Sequence, residues 1–296
     1  MTRKLLVMTT ILVVQVSTAK SLDTSIPQRD FSAAEIVSRN IAARGGLSAW
    51  RAVRTLSMEG TMGAGGNRRE TLSGSLPPDQ IQKLPITKRS IDEPQLPFKM
   101  ELARPRKAHI ELTFNGKTAI QVYDGDNGWM IRPYLNRMDT EPFTSDQLTA
   151  AAMQSDLDGY LVDYEAKGTK IELEGSEKVE DRANYKLRLT LMNGQSFHIW
   201  IDAQTFLETK LESHPRRLDG KDHPVEVYYR DYRSIDGLLM PLLLETRVLP
   251  IETADPRFRS ATPPAEKITI DKVLINPRLD PNDFARPTLT AANWQR

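Results

Sequence analysis

Strict alternation of apolar and polar residues is the organising signal of this chain. Over residues 183–201 the apolar side chains fall at Tyr185, Leu187, Leu189 and Leu191, with Lys186, Arg188 and Thr190 between them. Past a turn, Phe197, Ile199 and Ile201 alternate with Ser196 and His198. Period-2 alternation marks strands with one buried face. Asn193-Gly194 between two such runs predicts a hairpin closed by a type I′ turn. Trp200 falls on the polar side, so that face is expected to be partly covered. The same pattern recurs at Ala108, Ile110, Leu112 and Phe114, then after Asn115-Gly116 at Thr118, Ile120 and Val122. Trp129 and Ile131 follow the turn 124–128, making a three-stranded meander. Further alternating runs begin at Leu56, Ile171, Leu207, Val225, Leu242 and Ile268.

Helical periodicity is confined to short stretches. Ser32 and Glu35 form a capping box, and Ala33, Ile36, Val37 and Ile41 make one apolar stripe that ends at Gly45-Gly46. Residues 47–53 predict a second short turn with Trp50 buried. Thr144 and Gln147 form another capping box ahead of Leu148, Ala151, Ala152 and Met153, with a break near Gly159. Leu157, Tyr160, Leu161 and Val162 gather apolar side chains around that break. About ten antiparallel strands with a few short helices predict a mainly β (α+β) fold, with helices over one face of a large sheet. Residues 63–97 hold glycines, prolines and solvated charge without a period. They are expected to form a long inserted loop, disordered or, failing that, an ordered lid.

The N-terminus changes the compartment. Arg3 and Lys4 precede a short apolar run over residues 5–16, and Ser17-Thr18-Ala19 supplies small residues for cleavage. Residues 1–19 therefore read as a cleavable signal peptide and residues 20–296 as a single periplasmic domain. The chain has no cysteine, which excludes disulfides, thiolate metal sites and a lipidated N-terminal cysteine. Loss of the leader leaves 38 basic against 39 acidic residues. Such a balance gives no electrostatic basis for nucleic-acid binding.

The candidate chemistry is sparse. None of His109, His198, His214 and His223 makes a metal-binding pair by spacing, and the region of His214 and His223 reads as a solvated loop. Asp124-Gly-Asp-Asn-Gly128 resembles a calcium loop but lacks the required later ligands, so a turn is expected. No catalytic motif, metal site or cofactor site is found, and a non-enzymatic role is expected.

Several segments together resemble the LolA-like outer-membrane lipoprotein carrier superfamily, in its outer-membrane lipoprotein-sorting branch. They are residues 42–50 (AARGGLSAW), 122–129 (VYDGDNGW), 185–194, 200–207 (WIDAQTFL) and 231–241 (DYRSIDGLLMP). The resemblance implies an antiparallel open half-barrel with short helices on its concave face and a cavity for acyl chains. It implies a carrier or binding protein for a lipid or lipidated protein, with lipoprotein-trafficking components of the inner or outer membrane as partners. An envelope-stress sensor or assembly scaffold with a filled core is the alternative on the same fold. Trp129, Ile131, Met153, Leu157, Tyr160 and Leu161 are the expected ligand-lining residues. Met58, Met62, Met130, Met138 and Met153 would add adaptable apolar surface.

Overall fold

The computed structural model describes residues 31–63, 95–133, 137–218, 221–250 and 265–288. Among these, thirteen strands form one open antiparallel sheet. The strands are β1 (Thr55–Gly63), β2 (Gln95–Ala103), β3 (Lys107–Phe114), β4 (Lys117–Tyr123), β5 (Gly128–Arg132), β6 (Arg137–Pro142), β7 (Lys170–Val179), β8 (Arg182–Thr190), β9 (Ser196–Asp202), β10 (Glu208–Leu218), β11 (Lys221–Ile235), β12 (Leu238–Val248) and β13 (Glu266–Ile275). Their spatial order is β6-β5-β4-β3-β2-β1-β13-β12-β11-β10-β9-β8-β7. The chain thus starts mid-sheet, meanders out to one edge, crosses to the far edge, and meanders back until β13 pairs with β1. The crossing runs through helix α3 (Ser145–Gln154) and the turns of residues 155–169. Helices α1 (Ala33–Ala43) and α2 (Leu47–Ala52) precede β1. Both capping boxes form as the sequence predicts, at Ser32 with Glu35 and at Thr144 with Gln147.

The helices and the crossing segment lie on one face, termed inner here. Leu56, Leu102, Ala108 and Tyr123 of the sheet share one buried cluster with Trp50, Val53, Leu157, Val162, Leu238 and Met240. Two of the quoted turn segments meet in this cluster. The Trp50 indole and the Leu239 amide both donate to the Arg44 carbonyl, at 3.1 and 3.1 Å. Gly45 has φ of +113°, and a side chain there would stand 2.4 Å from the Gly237 carbonyl oxygen. A glycine is required for that approach. Gly128 is constrained differently, since a side chain would enter the Phe143 ring.

Turn chemistry follows the sequence in one hairpin and departs from it in the other. Asn115 and Gly116 both have positive φ, as a type I′ turn needs. At 193–194 only Gly194 does. The Gly194 amide bonds to the Leu191 carbonyl and the Leu191 amide to the Gln195 carbonyl, so a turn plus a left-handed glycine closes this longer loop. The inserted loop is shorter than residues 63–97. Gly63 and residues 95–97 belong to β1 and β2, which pair through Thr61–Pro97, Met62–Leu96 and Gly63–Gln95. The intervening residues 64–94 and the signal-peptide segment lie outside the described residues. The expected solvated loop around His214 and His223 is instead a hairpin, in which His223 is 3 % exposed.

The outer face of the second meander is covered in part, as Trp200 implied. The β7–β8 hairpin has a register shift between Leu173 and Gly175, and its tip reaches over this face. Val179, Trp200 and Tyr228 form a buried cluster there. Lys210 stands 3.8 Å above the Trp200 ring, and the indole donates to Glu177 at 3.1 Å. At the tip, Glu180 accepts from Arg230 at 2.6 and 2.7 Å and from Arg247 at 3.1 Å.

That ion-pair network has a pH signature. Hydrogen bonds from Arg230, with support from Arg247, hold the Glu180 carboxyl at about 2 against 4.5 when unperturbed. A depressed folded-state value stabilises the fold above pH 4.5, and the contribution is lost as pH falls toward 2. Glu180 is 43 % exposed, so solvent screening reduces the effect. Glu180→Gln should lower Tm slightly at neutral pH and converge on the wild type near pH 2. Parallel melting curves across that range would refute the assignment.

Candidate ligand-binding site

The inner face leaves space between the helices and the sheet. A cavity of about 150 Å³ opens between the end of α3, the crossing segment and strands β9 and β10. Met153 and Tyr160 line it from above, and Phe197 and Leu211 from the sheet. The strand residues come from the alternating runs, since Phe197, Ile199 and Leu211 all project to this side. Tyr160 packs edge-on against Phe197 with ring centroids 4.8 Å apart. Burial, with help from Asp156, raises the Tyr160 phenol above its ordinary value, so it stays neutral. The mouth is polar. Gln195 lies 3.3 Å from His214 Nδ1, and His214 Nε2 lies 3.4 Å from the Met153 sulfur. An apolar floor under a polar rim suits the tail of an amphiphile.

The six residues expected to line a ligand do not share one environment. Met153 and Tyr160 are at the cavity. Leu157 joins the core around Trp50, and Leu161 is 0 % exposed. Trp129 and Ile131 point the other way: they pair with Val122 and Ile120, on the face opposite Tyr123 and Ala108. Ile131 is buried on that outer face. The C-terminal 3₁₀ turn Pro281–Phe284 packs against β3 and β4 there. Strand alternation tells which residues share a side but not which side the helices cover. Phe197, Leu211 and His214 are among the lining residues that the sequence did not single out; the alternation of Phe197 and Leu211 was visible, but the partner across the gap was not.

The crossing segment is fastened rather than free. Arg104 donates to Asp158 at 2.5 and 2.8 Å and to the Val53 and Trp50 carbonyls at 2.6 and 3.0 Å. Arg51 grips Asp163 at 2.5 and 3.0 Å, and Lys167 reaches Asp156 at 2.7 Å. Helix α3, by contrast, has no fully buried residue and rests on the core through half-buried Leu148, Ala151 and Ala152. Helix α3 is thus the less firmly held of the two, upstream of the Gly159 break. Local opening free energy scales with buried contacts.

No family model matches the chain, and no curated protein matches it. Solved structures do. A LolA superfamily protein from Nitrosomonas europaea is 12% identical, with a TM-score of 0.51 over 85% of this chain and 97% of its own. A DUF1329 family protein from Desulfovibrio piger is 12% identical, with 0.49 over 84% and 95%. A putative outer membrane lipoprotein-sorting protein domain from Vibrio parahaemolyticus is 11% identical, with 0.47 over 89% and 98%. The resemblance drawn from the turn segments thus extends to the whole sheet, and the chain has the LolA-like fold: an open antiparallel half-barrel carrying short helices on one face.

Proposed function

We propose that this is a periplasmic protein that binds the acyl chain of a lipid or lipidated protein on the inner face of its half-barrel, in the service of envelope lipoprotein sorting. The observation that carries the reading is the cavity between Met153, Tyr160, Phe197 and Leu211, placed at the C-terminal end of α3, a helix with no buried residue. Its volume accepts only a short stretch of chain at rest, so α3 must move to admit more. Each buried methylene gains about 0.8 kcal/mol, which makes even partial insertion worthwhile. The leader-like N-terminus supports export, and the fold supports a carrier or binding role. Lipoprotein-trafficking components of either membrane are the partners this role requires.

Occlusion tests it. Met153→Trp fills the cavity from the half-buried face of α3 without touching the core. Uptake of a fluorescent fatty acid should fall at least tenfold while the melting temperature stays within a few degrees of wild type. A folded variant with unchanged uptake removes this cavity from the reading. The interaction-module alternative, a stress sensor or assembly scaffold, gains from the filled core around Trp50 and Val162. It predicts no fatty-acid uptake by the wild type.

A further inference from the structure

The outer face of the first meander carries a group of titratable side chains remote from the cavity lining. Glu101 on β2 stands directly across from His109 on β3. Asp283, in the C-terminal 3₁₀ turn, lies over both, and one ligand atom from each of the three residues lies within 4.8 Å of the others. Glu101 is 5 % exposed. Its Oε1 binds the Lys99 ammonium at 2.7 Å, whereas its buried Oε2 accepts no hydrogen bond. A buried carboxylate oxygen without a partner is costly and calls for an explanation. That oxygen faces His109 Nδ1 at 3.7 Å, beyond hydrogen-bond distance.

We propose that Glu101, His109 and Asp283 bind a divalent transition-metal cation, with Zn²⁺ the best fit, and that the ion fastens the C-terminal segment to the sheet. One imidazole with two carboxylates suits Zn²⁺ and disfavours Mg²⁺ or Ca²⁺, which take oxygen ligands. Ligands about 2.0 Å from a tetrahedral Zn²⁺ are roughly 3.3 Å from one another. The Glu101–His109 separation is within half an ångström of that. The far nitrogen of the imidazole, His109 Nε2, lies 3.6 Å from Glu111 Oε1. A carboxylate behind a metal-bound histidine is the usual orienting partner. Charge points the same way. Lys99 is the ammonium facing Glu101, Glu111 and Asp283. With His109 neutral, three carboxylates against one ammonium leave two negative charges, which one divalent ion balances. An open groove of about 460 Å³ on the same face is lined in part by Lys99 and Glu111, the charged neighbours of Glu101 and His109.

The test is direct titration of the full mature chain, stripped with chelator, with ZnCl₂ under calorimetry. One Zn²⁺ per chain is expected, with a rise in Tm that Mg²⁺ does not reproduce. His109→Gln and Asp283→Asn should each weaken binding at least tenfold, and Glu111→Gln by roughly ten- to a hundredfold. Asp283 sits in a surface turn, so Asp283→Asn keeps the fold should His109→Gln fail to. Absence of stoichiometric uptake by the wild type overturns the proposal. So does wild-type affinity in either folded ligand variant, which would transfer binding to His198, His214 or His223.

Discussion

Leu161→Asp should unfold this protein rather than merely empty a pocket. Leu161 is 0 % exposed and neighbours Val162, also 0 % exposed, in a segment pinned at Asp158 and Asp163. The substitution removes a buried leucyl side chain, worth about 2–5 kcal/mol, and forces a carboxylate out of water. Together these reach the size of a whole domain's stability, about 5–15 kcal/mol. Circular dichroism at 25 °C should show loss of the sheet signal or a collapsed melting temperature. Leu161→Met, nearly equal in volume, should cost less than about 1.5 kcal/mol. A cooperative melt of Leu161→Asp near the wild-type temperature would mean that Leu161 faces open space, and the inner-face cavity would be larger than the residues around Tyr160 indicate.

Arg104→Ala should be strongly destabilising. The guanidinium fork satisfies both oxygens of Asp158, whose side chain is 4% exposed, and two carbonyls at the end of α2. Removing the partner of a buried charge costs up to about 3–5 kcal/mol, and the 29 % exposure of the Arg104 side chain places this pair toward the lower end. That corresponds to a Tm loss on the order of 10 °C. Arg104→Lys should restore only part of it, since an ammonium cannot span the same four acceptors. The double variant Arg104→Ala/Asp158→Ala should be more stable than Arg104→Ala alone, and the cycle measures the coupling. A loss in the double variant equal to the sum of the losses in Arg104→Ala and Asp158→Ala would show that the pair is not coupled. The same variants bear on function. Loosening this clamp frees the crossing segment beside α3, and faster fatty-acid uptake by the folded fraction would link the clamp to opening.

Local physics made much of this architecture legible. Asn115-Gly116 adopts the positive φ pair its residues favour, both capping boxes close, and each alternating run from Leu56 to Ile268 falls on a strand, with Leu191 and Leu207 just outside the ends. These outcomes rest on contacts within a few residues, where propensity and hydrogen-bond geometry decide. Two strands were not read. In β2, Leu96, Phe98, Met100 and Leu102 do alternate, but Pro97 and the proline-rich stretch before it mask the signal. In β6, the residues Arg137–Pro142 are mostly polar because an edge strand needs little apolar surface.

The sequence alone therefore determined the antiparallel class, the turns, the helix starts and the sharing of sides along each strand. Only the tertiary structure decided which side of each strand the helices cover. That choice sends Trp129 and Ile131 to the face opposite Leu157, and brings Phe197 under Tyr160. It also seats Asp283 over Glu101 and His109, although these residues are far apart in sequence. The physical reason is the strand order: because β1 and β13 close the middle of the sheet, neighbours in space come from opposite ends of the chain, and no local pattern encodes that pairing.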